Sequence, residues 1–202
     1  MRLRVAAVLF ASLAMASPTF AQVTGAVKGG VNFAKVNFED EAADATASTD
    51  MRAGLVVGAA IDVPIAPMFS FQPEVLYTQK GGKNGDISDG ITDVTLKVDM
   101  IQIPLLAKVG ATAGSVRPFV VAGPAIGFVT SAKFSVEGFD DDEDIKDDLE
   151  KVEFSGIIGG GVQFGRGIVE ARYDHGFRDM EKEIGAASKT RTISILFGYS
   201  FP

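Results

Sequence analysis

The 202-residue chain has no cysteine, no tryptophan and a single histidine. Without cysteine there is no disulfide framework, no thiolate metal site and no thiol nucleophile. One histidine excludes metal sites built on several imidazoles. Basic residues are outnumbered, 19 against 26 acidic, for a formal net charge of −7. That balance argues against nucleic acid, whose binding depends on neutralising phosphates. Long apolar runs are also missing. The only one lies at residues 5–16, behind Arg2 and Arg4 and ahead of the small-residue stretch 17–21. A spanning helix needs about 20 apolar residues, so residues 1–21 read as a cleaved export signal, cut after Ala21 in preference to Ala16. Its removal lowers the basic count from 19 to 17, leaves all 26 acids and brings the net charge to −9. With no apolar segment of helical length left, any crossing of a membrane has to be made by a closed barrel.

What the chain does have is alternation. In the closing stretch, Ile193, Ile195, Phe197, Tyr199 and Phe201 fall on one parity, and Thr192, Ser194, Gly198 and Ser200 on the other, with Leu196 as the apolar exception. A period of two puts these sets on opposite faces of a strand. The pattern recurs at 23–33, 53–63, 69–77, 94–109, 116–129, 152–164 and 168–177. In 94–109 the apolar parity changes from Val94, Leu96 and Val98 to Ile101, Ile103 and Leu105, which predicts an inserted residue, a β-bulge, near Asp99 and Met100.

The connections alternate in length. Long polar ones (37–50, 81–92, 131–151, 178–189) are interleaved with short ones (64–67, 110–115, 165–167). Eight strands with this asymmetry predict an all-β fold: an eight-stranded antiparallel up-and-down transmembrane β-barrel over 22–202, lipid outside and polar residues inside. An even strand count places both termini on the side of the short turns. A soluble ligand-carrying barrel would reverse the polarity. The inward parity here holds Lys28, Arg52, Asp62, Glu74, Gln102, Lys108, Arg117, Glu170, Arg172 and Asp174, which such a barrel has no reason to bury. Pro73, Pro104, Pro118 and Pro124 lie inside the strands. Lacking a donor, each is expected at a bulge, at a strand end or above the membrane zone.

The segments 71–81 (FQPEVLYTQKG), 101–108 (IQIPLLAK), 117–127 (RPFVVAGPAIG), 169–176 (VEARYDHG) and the terminal ILFGYSF together resemble the PorT-like family of outer-membrane β-barrel proteins. They occur in the family's order, and the four prolines match its recurring ones. The resemblance implies the fold and an outer-membrane location. It also implies contact with membrane lipid and with the barrel-assembly machinery that reads the aromatic end. By analogy with the member that names the family, a role in secretion or envelope assembly is the alternative function.

Three groups of residues are candidates for chemistry. Arg52, Glu74, Lys108, Arg117, Glu170, Arg172 and Asp174 are expected to fill an eight-stranded lumen as a charge network, since a barrel of that size is only wide enough for side chains. The run 137–150 is dense in carboxylates that could hold Ca²⁺, but it lacks the EF-hand spacing and reads as a solvated face. His175 with Asp174 and Ser188 carries no accompanying serine motif and reads as an interfacial histidine. Phe33, Phe69, Tyr77, Phe154 and Phe177 fit an aromatic girdle. The expectation is a monomeric, non-enzymatic barrel without cofactor or bound metal. It would present its long loops to an outside partner, with a lipid-modifying enzyme as a further alternative.

Overall fold

The computed structural model describes residues 22–40, 45–48, 50–84, 94–111, 115–136, 143–144, 152–177 and 187–202. The export segment, much of the long connections and nearly all of the acidic run 137–150 lie outside the described residues.

Ten strands are formed: β1 (Thr24–Asp40), β2 (Ala45–Ser48), β3 (Asp50–Ala66), β4 (Phe69–Asn84), β5 (Val94–Gly110), β6 (Val116–Val136), β7 (Glu143–Asp144), β8 (Val152–Phe164), β9 (Gly167–Gly176) and β10 (Ala187–Phe201). Eight build the wall in sequence order, each antiparallel to the next, and β10 returns to pair with β1. Closure removes both sheet edges. The short strands β2 and β7 add to β1 and β6 on the side of the long connections.

The barrel is strongly staggered. Partners can be followed from Phe33 to Ile193, Tyr173, Ile158, Ala122, Ala107, Phe71 and Val63. That path ends beside the Asp62–Thr24 pair, at the opposite end of β1 from Phe33. Such a stagger requires strands tilted to the barrel axis. Every residue on the path is on the outer face, and all are apolar or tyrosine.

The polarity is that of a membrane barrel. Ile158, Phe197 and Leu55 are 62%, 61% and 60% exposed, whereas Glu74 and Glu170 are 2% and 1% exposed. Ile193, Ile195, Phe197, Tyr199 and Phe201 all lie on the outer face of the closing strand. Leu196 turns inward and packs with Val56 and Leu76. The interior is therefore not wholly polar. Ala26, Ala60, Leu106, Phe119, Val121, Ala125, Ile157 and Ile168 form an apolar cluster, and Val98, Met100, Val129 and Ala132 another.

The strands outrun their expected ends on one side. β1, β4 and β6 continue to Asp40, Asn84 and Val136, and β10 begins at Ala187, inside stretches expected to be loops. Loss of apolar alternation marks where the lipid ends, whereas the hydrogen-bond ladder can continue into water. At the other side the turns are tight. Phe164 pairs with Gly167 around Gly165–Arg166, and Gly165 takes φ 58°, as primed hairpin turns require. β3 runs on to Ala66, so its turn is Pro67–Met68 rather than the whole of 64–67.

The register shift expected near Asp99 and Met100 is there, but the extra residue belongs to β6. Asp99 pairs with Ser131 and Met100 with Val129, leaving Thr130 unpaired, its hydroxyl donating to the Asp99 carbonyl at 2.9 Å. From Lys97 to Ala107 the parity of β5 does not change. Val98 and Met100 are inward, like Gln102 and Leu106, because an apolar cluster lies opposite them.

Pro118 sits near the start of β6, its carbonyl accepting from Ala111 N. Pro73, Pro104 and Pro124 do not follow the expectation. They lie mid-strand, where the pairing is interrupted with no change of register. In β5–β6, for example, partners pass from Pro104–Ala125 to Ala107–Ala122. A proline removes one donor, and here the wall tolerates the gap without bulging. At the neighbouring Gly123 a side chain would strike the Leu105 carbonyl, so the strands approach too closely there for any residue but glycine.

Candidate functional site

Inward-facing polar residues of β1, β4, β5, β8 and β9 meet across the lumen in two clusters. In the first, Arg172 clamps Glu74 with two bonds, Nη1 to Oε2 at 2.6 Å and Nη2 to Oε1 at 2.7 Å, and donates from Nε to Glu170 Oε1 at 2.6 Å. Lys28 Nζ donates to Glu74 at 2.7 Å and to Glu170 at 2.8 Å. Gln72 adds a bond to Glu74 at 2.6 Å. Two cations face two carboxylates, and all four are buried. Charges taken out of water are tolerated only when paired and hydrogen-bonded, and this set meets both conditions.

The second cluster lies two residues further along β9, toward the long connections. Lys80 Nζ donates to Glu153 at 2.7 Å and Asp174 at 2.9 Å, and Gln102 donates to Asp174 at 2.8 Å. Here one lysine faces two carboxylates. Among the described residues, Glu153 Oε2, Asp174 Oδ1 and the hydroxyl of Thr192, the cross-strand neighbour of Asp174, have no protein partner. A cavity of about 10 Å³ adjoins Asp174 and Thr192, roughly the room one water needs. Beside the cluster, Asn32 hydrogen-bonds Thr78 and accepts from Ser194 at 2.7 Å.

Glu74, Glu170, Arg172 and Asp174 thus stand where the sequence expectation placed them. The other three members are elsewhere. Arg52 is half-buried and donates to the Lys80 carbonyl at 2.7 Å. Lys108 pairs with Asp62 at 2.5 Å, near the short-turn mouth, and lies 4.7 Å from the centre of the Phe119 ring. Arg117 keeps the inward parity but is exposed at that mouth, where it lines a cavity of about 210 Å³ with Lys108, Asp62 and Gln163. It joins neither cluster, because β6 begins there and the wall no longer encloses it. Lys28, Lys80 and Glu153 are cluster members absent from the expected network, although Lys28 carries the inward parity. The signal was present for Lys80, which continues the even parity of Gln72, Glu74 and Thr78 past the expected strand end. Asp174 and His175 project to opposite faces of β9, so they form no catalytic pair.

A slip of β9 by one residue would turn Glu170, Arg172 and Asp174 toward lipid. The clusters therefore fix the register of the strands they join.

A profile of the family described as outer membrane protein beta-barrel domain matches residues 20–182. Among solved structures, Neisserial surface protein A aligns at 14% identity, covering 88% of this chain and 97% of that one, with a TM-score of 0.51. Ail, the attachment invasion locus protein of Yersinia pestis, aligns at 14% identity over 89% and 99%, with a TM-score of 0.46. The outer membrane protease OmpT of Escherichia coli aligns at 10% over 91% and 98%, with a TM-score of 0.47. At 14% identity the likeness to Neisserial surface protein A concerns fold alone. No curated protein matches the sequence significantly.

Proposed function

Since the chain belongs to the outer membrane protein β-barrel domain family, we propose that it is a PorT-like, monomeric, non-enzymatic scaffold with a side-chain-filled interior, not an open pore. Its function is to hold the four long connections outside the cell for contact with an extracellular partner. The observation that carries this reading is the pair of ion clusters bridging opposite walls, Arg172 of β9 to Glu74 of β4 and Lys80 of β4 to Asp174 of β9. An eight-stranded barrel leaves little room beyond its own side chains. The extension of β1, β4 and β6 past the apolar zone supports the role of the connections, because it raises them on a stiff collar. The placement of His175 and Asp174 on opposite faces supports a non-enzymatic role. Export by the signal at 1–21 and insertion by the barrel-assembly machinery complete the reading.

The test replaces 137–150 by a glycine–serine linker of equal length. The expected result is a barrel that still shows heat-dependent gel mobility, with expressing cells that lose adherence to surfaces coated with extracellular-matrix protein. Unit conductance steps from the wild-type protein in planar bilayers would contradict the closed interior. Adherence unchanged by the replacement would contradict the role of that connection. A change in the mass of lipid A in expressing cells would favour an enzyme instead.

A further inference from the structure

His175 and Arg191 face the bilayer. β9 buries Arg172, Asp174 and Gly176, and β10 buries Thr190, Thr192 and Ser194, so the odd-numbered His175 and Arg191 stand on the outer wall, where they are direct cross-strand partners. Arg191 is also the partner of Lys35 in β1. Residues 35, 191 and 175 thus occupy one row across β1, β10 and β9. On the short-turn side the next outward residues are Phe33, Ile193 and Tyr173. On the other side of His175 is Phe177, which is 64% exposed. The row lies at the boundary of the apolar zone nearest the long connections.

The site is also shaped. The His175 ring stacks on Tyr173 (centroids 6.3 Å apart, planes at 21°) and meets the edge of Phe177 at 5.6 Å. Phe177 is itself held over Gly156, the β8 partner of His175, where a side chain on residue 156 would collide with the ring. Among the described residues no hydrogen-bond partner reaches His175 Nδ1 or Arg191 Nε, two atoms that the protein itself covers. At the edge of a hydrocarbon layer an arginine on the outer wall finds its counter-charge in an anionic oxygen of the lipid.

We propose that Arg191 and His175, flanked by Tyr173 and Phe177, form a binding site for the phosphate of an outer-leaflet glycolipid. The guanidinium takes the phosphate oxygens, the imidazole supplies a further contact, and the aromatic rings pack against the upper part of the acyl chains. The inference rests on the outer-membrane placement and is independent of what the connections bind.

The test uses the purified full-length barrel in detergent micelles with bis-phosphorylated lipid A, with the same lipid dephosphorylated, or with inorganic phosphate. The readout is the temperature at which half the protein loses its compact gel mobility. Bis-phosphorylated lipid A is expected to raise that temperature by several degrees, and the other two additives to leave it unchanged. The double variant Arg191→Gln/His175→Gln is expected to fold but to need about tenfold more lipid for the same shift. Arg191→Lys, which keeps the charge, should retain most of the response. An equal response to dephosphorylated lipid, or an undiminished response in the double variant, would overturn the proposal. Protection by inorganic phosphate alone would overturn the lipid as its source.

Discussion

Arg172→Ala is expected to destabilise the barrel by about 3–5 kcal/mol, the usual cost of removing one partner from a buried ion cluster. Arg172 supplies three of the bonds that hold Glu74 and Glu170. Without it, Lys28 alone faces two buried carboxylates and cannot neutralise both. The cost is that of stranded charge, not of lost packing. Replacing Arg172, Glu74, Glu170 and Lys28 together by apolar residues of similar volume should therefore restore much of the stability. Urea unfolding of the protein in lipid vesicles, followed by gel mobility, measures both. Unchanged stability in Arg172→Ala together with new conductance would mean that the cluster is a gate and not a brace.

Ile158→Arg is expected to cost about 2–4 kcal/mol, because arginine in the middle of a barrel's lipid face is destabilising by that much. Ile158 is 62% exposed and lies on the outward path between Tyr173 and Ala122. In water such a position would accept arginine within about 0.5 kcal/mol, as surface sites usually do. The same unfolding experiment therefore distinguishes a lipid-facing wall from an aqueous one at a single residue. Arg166, already exposed at a tight turn and hydrogen-bonded to the Tyr199 hydroxyl at 3.3 Å, shows where the outer surface tolerates that charge.

Much of this architecture is legible in the sequence, for one physical reason. A wall with lipid on one side and a polar lumen on the other imposes a period of two on every strand, and the closing stretch 190–201 states it most clearly. Five charged members of the ion clusters, Lys28, Glu74, Glu170, Arg172 and Asp174, follow from parity alone. What escaped the pattern did so where the pattern is not the cause. The ends of β4 and β6 are set by hydrogen bonding above the bilayer, so Lys80 lies past the last apolar residue of its alternation. The parity change in 94–109 is a change of inner lining, from the apolar cluster around Met100 to the polar layer at Gln102. The bulge that accompanies it sits on the partner strand at Thr130, where no apolar alternation marks it. Arg117 shares the parity of the interior but not its enclosure, since parity gives direction and not depth. Pro73, Pro104 and Pro124 show that a closed ladder can lose single bonds and keep its register.

The central claim is that the apolar face meets lipid and the charged face is enclosed. Gel mobility of the outer-membrane fraction, unboiled against boiled, tests it most directly. The account predicts that the protein is found in that fraction, runs compactly when unboiled and shifts after heating. A soluble periplasmic protein with no heat-dependent shift would contradict it, since the exposed faces of Ile158, Phe197 and Leu55 would then need another cover.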